Sequence, residues 1–136
     1  MYEEEFRASA SKLYLTTDDG SYGEKGFVTD VLKRGLDEGK YDCVMAVGPM
    51  PMMRAVSLLT KQYGVKTVVS MNPIMVDGTG MCGGCRVIVG GKTKYACVDG
   101  PEFDGHEIDW DTAMSSLKAY KEQEKEHGCR LTGERK

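Results

Sequence analysis

Tyr41-Asp-Cys-Val-Met-Ala-Val47-Gly48-Pro49-Met-Pro-Met-Met-Arg-Ala-Val-Ser-Leu-Leu-Thr-Lys-Gln-Tyr63-Gly64-Val65-Lys-Thr-Val-Val-Ser-Met71 is the stretch that decides the fold class. Tyr41 to Val47 is a short apolar run of strand length, and Gly48-Pro49 turns the chain. From about Pro51 to Tyr63, Met52, Ala55, Val56 and Leu59 recur at helical spacing, and Gly64 supplies a stop. Val65 to Met71 is then a second strand. Working back toward the N-terminus, Leu13 to Thr17 is a strand candidate closed by the turn-rich Asp18-Asp19-Gly20-Ser21. A helix is expected from about Gly26 to Glu38, with Phe27, Val28, Val31, Leu32 and Leu36 on one face, and a short surface helix within Met1 to Ala10. Strand, helix, strand, helix, strand implies parallel strands joined by right-handed crossovers. The expected class is therefore α/β, with residues 1–71 forming half of a doubly wound nucleotide-type domain. Ligands on such sheets sit beyond the carboxyl ends of the strands, which points to the Asp18–Gly23 loop and the Gly48–Met52 turn. No Gly-x-Gly-x-x-Gly follows a strand, so the usual pyrophosphate loop is not in this chain.

Beyond Met71 the character changes. Glycine becomes dense up to Gly91, and two strand candidates, Arg86 to Val89 and Lys92 to Cys97, flank Gly90-Gly91, a hairpin-type turn. Asp109 to about His127 then has the period of a terminal helix, with Ala113, Met114, Leu117 and Tyr120 on one face, and Gly128 to Lys136 is a polar tail. Residues 72–136 are expected to form a second, small, β-rich subdomain ending in that helix.

The chemistry lies in Asp77-Gly-Thr-Gly-Met-Cys82-Gly-Gly-Cys85 with Cys97. A plant-type two-iron two-sulfur site spaces its ligands as a cysteine, four residues, a cysteine, two residues, a cysteine, and a fourth cysteine further on. Here Asp77 stands where the first cysteine belongs, so Asp77, Cys82, Cys85 and Cys97 are the candidate ligands. Glycines at 78, 80, 83 and 84 let the backbone wrap closely and aim amide hydrogens at cluster sulfurs, as a nest does for an anion. The same three thiolates and one carboxylate could instead bind zinc, making a non-redox interaction module. Zinc knuckles usually pair two Cys-x-x-Cys arms, however, and here one arm is the single Cys97. A thioredoxin-type motif would open a helix after a strand, whereas this one leads into a strand.

Composition removes other classes. The chain has 136 residues, 40% hydrophobic and 29% charged, with a net charge of −3, unlike the basic balance of a nucleic-acid binder. Its longest apolar runs are far short of the roughly 20 residues of a membrane span, and the acidic Met1-Tyr-Glu-Glu-Glu opening does not read as a secretory leader. Five cysteines, three of them among glycines, suit metal ligation in a reducing cytoplasm better than a disulfide framework. Cys43, inside an apolar run, reads as a small buried hydrophobe, and Cys129 as an incidental exposed thiol in the tail.

Thr17-Asp-Asp-Gly-Ser-Tyr-Gly-Glu-Lys-Gly-Phe-Val-Thr-Asp30, Gly48-Pro-Met-Pro-Met-Met53, and Asp77 to Cys85 with Cys97-Val-Asp-Gly-Pro-Glu-Phe103 together resemble one family, over about residues 12–120. It is the electron-transfer flavoprotein subunit family of ferredoxin-NADP reductase type, which includes the dihydroorotate dehydrogenase electron-transfer subunit. Aspartate at the first ligand position is most similar to the branch of small subunits of NADH-dependent reduced ferredoxin:NADP oxidoreductase, or sulfide dehydrogenase. The resemblance implies a C-terminal portion of a longer oxidoreductase subunit, with a 2Fe-2S cluster here and FAD and NAD(P) bound by the full-length protein. It implies a larger catalytic subunit as partner in a hetero-oligomer, ferredoxin as a further candidate partner, and no catalysis by this portion alone. Carried over to this sequence, Asp18, Asp19, Gly20, Ser21, Gly48, Pro49 and Met50 would line the nucleotide cleft. Val47 stands where family members often have a cysteine, and His106 recurs in the family motif but reads here as a surface-turn residue.

Overall fold

The computed structural model describes residues 2–39 and 41–117. By packing, the chain divides into two compact units between Tyr41 and Asp42, and the boundary expected after residue 71 lies inside the second. The remainder of the terminal helix expected to reach His127, with Cys129, lies outside the described residues.

The first unit holds α1 (Glu3–Ser9), β1 (Thr16–Thr17), β2 (Glu24–Lys25) and α2 (Val28–Asp37). The expected strand Leu13 to Thr17 shortens to two residues and pairs in parallel with β2 in a sheet of its own, so it is not a third strand of the main sheet. The intervening loop turns back on itself: the Glu24 N–H donates to Leu15 O at 2.8 Å and the Gly26 N–H to Thr17 O at 3.1 Å. Those bonds occupy the backbone that the sequence pattern offers to a neighbouring strand. Gly23 makes the fold-back feasible, since at φ 70° a Cβ there would collide with the Leu15 carbonyl. At the start of α2 the Phe27 N–H donates to Asp30 Oδ2 at 3.1 Å, which satisfies one of the helix's unpaired amides.

In the second unit, β3 (Cys43–Val47), α3 (Met50–Tyr63) and β4 (Lys66–Ser70) form the expected crossover, with parallel pairing from Cys43↔Lys66 to Val47↔Ser70. α3 ends at Gly64, whose φ of 66° is the left-handed cap that glycine adopts without strain. There follow β5 (Arg86–Val89), β6 (Lys92–Tyr95), α4 (Ala96–Asp99), β7 (Glu102–Asp104) and α5 (Trp110–Ser116). β7 adds antiparallel to β4, giving the order β3-β4-β7. Three residues are too few to carry a period, which is why sequence pattern misses this strand.

Two burial expectations are corrected. Cys43 is exposed, not buried, because alternation along β3 turns Ala46 inward and leaves Cys43, Met45 and Val47 on the open face. α3 buries Met50, Met53, Val56, Ser57 and Thr60, while Ala55 is exposed. The polar pair is tolerated because each hydroxyl bonds a carbonyl four residues back: Ser57 Oγ to Met53 O at 2.9 Å and Thr60 Oγ1 to Val56 O at 3.0 Å. Thr60 Oγ1 also takes the Thr67 hydroxyl at 2.5 Å and lies 3.1 Å from His106 Nε2, so His106 ties its turn to the core and is no free surface residue. Replacing Thr60 by Val should remove both contacts, leaving the Thr67 hydroxyl only Val65 O at 3.1 Å, and lower unfolding stability by about 1–3 kcal/mol in urea titrations, with Thr60→Ser much milder. Equal midpoints for wild type and Thr60→Val would show that the network contributes nothing.

Candidate iron-sulfur centre

Gly90 and Gly91, at φ 56° and 72°, make the two-residue turn that favours an antiparallel hairpin of right-handed twist. The resulting register sets Arg86 opposite Tyr95 and lets the Ala96 N–H donate to Cys85 O at 3.1 Å. Cys85, just before β5, and Cys97, just after β6, are thereby brought to the same end of the hairpin, with Sγ atoms 3.2 Å apart. Cys97 was expected at the end of a strand; it sits instead in the helical turn α4, which points its sulfur at Cys85.

Amides are directed at these sulfurs. The Cys97 N–H donates to Cys85 Sγ at 3.5 Å, and the Gly84 N–H to Cys82 Sγ at 3.4 Å. The Cys97 amide, ahead of lesser backbone contributions, holds the Cys85 thiol below its ordinary range, whereas its neighbour Cys85 pushes the Cys97 thiol up. Two thiolates at this separation repel, so a cation between them removes the conflict.

Asp77 and Cys82 lie on the wrapped loop before the hairpin. Asp77 accepts from the Thr79 N–H through Oδ1 at 2.9 Å and from the Cys82 N–H through Oδ2 at 3.0 Å, closing the loop. The Thr79 amide first, with help from Cys82, keeps this carboxyl below the usual range. The structure therefore brings Cys85 and Cys97 together and holds Asp77 and Cys82 on their own loop amides; among the described residues no three potential ligands already converge on one point. The donor set nonetheless fits an iron-sulfur cluster: three soft thiols not joined in any disulfide and one carboxylate, with N–H groups facing sulfur.

Of the residues expected to line a nucleotide cleft, Gly48, Pro49 and Met50 follow β3 directly into α3, beyond the strand's carboxyl end. Met50 is buried and lines a cavity of about 600 Å³ that also touches Cys82, Gly84 and Arg86. Asp18, Asp19, Gly20 and Ser21 belong to the other unit, where Asp19 Oδ1 accepts the Ser21 N–H at 2.9 Å, a bond that lowers the Asp19 carboxyl.

Residues 72–109 match the family described as the iron-sulfur cluster binding domain of dihydroorotate dehydrogenase B. The chain is 56% identical over 115 residues to a Thermotoga maritima dihydroorotate dehydrogenase B (NAD(+)) electron transfer subunit homolog, covering 85% of this chain and 41% of that one. It is 43% identical over 111 residues to the corresponding Bacillus velezensis electron transfer subunit, covering 79% of this chain and 41% of the relative. In three dimensions it superposes with TM-score 0.83 and 50% identity on a chain from the NADH-dependent reduced ferredoxin-NADP oxidoreductase structure that gave insights into flavin-based electron bifurcation, covering 95% of this chain and 46% of that one. Residues 72–109 thus match an iron-sulfur cluster binding domain, and over most of its own length the chain is similar to electron transfer subunits. It spans less than half the length of these relatives.

The matched segment of this chain carries one feature that sequence reading did not single out. Val76, Met81 and Val98 are 76%, 90% and 55% exposed around the ligand candidates. Large apolar residues inside a glycine-rich loop were the available signal, since a solvated loop has no need of them.

The sulfur pairing yields a direct test on the metal-free chain. Mild oxidation with diamide should link Cys85 to Cys97 before any other pair, because only about 1.2 Å of approach separates them from the ~2.05 Å bond length. A first-formed Cys82–Cys85 or Cys82–Cys97 bridge, read by peptide mass spectrometry, would contradict the geometry.

Proposed function

We propose that this chain is the electron-relay portion of an NAD(P)-linked flavin iron-sulfur oxidoreductase subunit. On this reading Asp77, Cys82, Cys85 and Cys97 hold a 2Fe-2S cluster, and electrons pass between a nicotinamide nucleotide and flavin on one side and a larger catalytic subunit on the other. The observation that carries it is the Cys85–Cys97 pair, two free thiols with sulfurs 3.2 Å apart, inside the segment that matches an iron-sulfur domain. A bound cluster of this type accepts and donates one electron at a time, while hydride chemistry belongs to the flavin. What the chain's own residues do is place donors and shield them: the Cys97 and Gly84 amides face sulfur, and the Asp77 carboxylate clamps the loop.

The exposed Val76, Met81 and Val98 supply an apolar rim for the partner subunit, whose docking would exclude water at the point of electron exit. In the same proposal, Gly48, Pro49 and Met50, beyond the carboxyl end of β3, contribute to holding NAD(P). Among the described residues no helix is long and apolar enough to cross a membrane.

Anaerobically purified chain should be reddish brown and carry about two irons and two acid-labile sulfides. A colourless chain with one zinc would overturn the relay reading in favour of a zinc-stabilised interaction module. Asp77 is separable by two substitutions. Asp77→Cys should retain the cluster at a lower reduction potential, since thiolate donates more electron density than carboxylate oxygen. Asp77→Asn keeps only one of the two oxygens that accept the Thr79 and Cys82 amides and loses the anionic donor, and should release iron to chelators about ten- to a hundred-fold faster. Wild-type potential and retention in both variants would remove Asp77 from the ligand set.

A further inference from the structure

We propose that Asp99 is the positioning residue for two of the cluster donors, an inference that rests on the relay reading above. α4 is a single turn, Ala96–Asp99, and its N-terminal flank Tyr95 has no side-chain cap of its own. A four-residue turn is too short to hold itself by helical bonding, because nucleation fixes several torsions for one hydrogen bond. What closes it is the Asp99 side chain. Asp99 Oδ2 accepts the Tyr95 N–H at 2.8 Å, reaching back across the turn, and Oδ1 lies 3.8 Å from Lys94 Nζ. Cys97 is the middle of the segment enclosed by that bond.

The consequence extends beyond one sulfur. Where the backbone of Cys97 sits decides the place of its own Sγ, 3.2 Å from Cys85 Sγ, and also the place of its N–H, which donates to Cys85 Sγ at 3.5 Å. A carboxylate that touches neither sulfur thus governs one ligand and the hydrogen bond to a second. Hydrogen bonds to cluster sulfurs favour the more negative, reduced state, so losing this one lowers the potential.

Charge and position make opposite demands here, which gives the test its edge. If Asp99 acted only as a nearby negative charge, Asp99→Ala and Asp99→Asn would both raise the potential by the same amount. As a positioning residue, Asp99→Asn keeps an oxygen for the Tyr95 N–H and stays near wild type, whereas Asp99→Ala lowers the potential and releases iron to chelator about ten- to a hundred-fold faster. Asp99→Glu keeps the charge but moves the acceptor out by one methylene; it should fall between Asn and Ala, and it serves if the Ala variant does not fold. The experiment reconstitutes wild type and the variants anaerobically, then records iron and sulfide content, chelator-loss half-life, the electron paramagnetic resonance spectrum of the reduced form, and a redox titration. A loaded wild type with indistinguishable variants, or with Asn and Ala raised together, overturns the assignment of Asp99 and leaves the relay reading standing. A wild type that takes up no iron and sulfide overturns both.

Discussion

The register of β5 on β6 is the constraint from which the candidate centre follows. A two-residue turn through Gly90 and Gly91 pairs Val89 with Lys92 and Arg86 with Tyr95, and so puts Cys85 and Cys97 side by side at the open end. A slip of one residue would turn the buried Val87 to solvent and part the two sulfurs. An isolated hairpin is marginal in water, so this one is anchored elsewhere. Val89 bridges Ile108, the Gly90 N–H donates to Glu107 O, and the Asp109 N–H donates to Ile88 O, which binds the hairpin to the segment entering α5. That helix is held in turn by Trp110, buried with its Nε1–H on Gly105 O, and by Asp109 capping Thr112. In the proposed function metal binding adds to folding free energy, because the candidate donors are spread over a loop and a turn that the unfolded chain does not bring together.

The loop donors show a different arrangement from the hairpin donors. Asp77 and Cys82 are satisfied by backbone amides of their own loop, and the positive φ of Gly78, Gly80 and Gly83 is what bends that loop round them. The carboxylate closes the loop in this arrangement, and in the proposed function it also supplies an anionic donor. Local hydrogen bonds of this kind limit how far the donors must travel, which lowers the ordering cost of capture.

Much of this was legible from residues alone, for physical reasons that can be named. The crossover of β3, α3 and β4 announces itself through apolar period and the Gly64 stop, and the hairpin through paired glycines. Other features depend on contacts that no local pattern encodes. Ser57 and Thr60 are polar yet buried, since their hydroxyls bond carbonyls of their own helix. β1 offers strand-like residues, but its backbone is taken by the fold-back to β2. Cys43 sits in an apolar run yet faces outward, because a strand's alternation carries half its residues to the other side. The helical turn at Cys97 hides inside a stretch that reads as strand, and a single carboxylate bond from two residues further on is what bends it. The four ligand candidates were found by spacing, while their present partners could come only from coordinates.

The central claim is that one carboxylate and three thiols on this loop and hairpin hold a two-iron cluster. Extended X-ray absorption fine structure at the iron edge of the anaerobically reconstituted chain tests it most directly, comparing wild type with Asp77→Cys. The account requires a sulfur shell with an added oxygen scatterer in wild type, a short iron–iron vector in both, and loss of the oxygen component in the variant. A shell of sulfur alone in wild type, or the absence of an iron–iron vector, would contradict it.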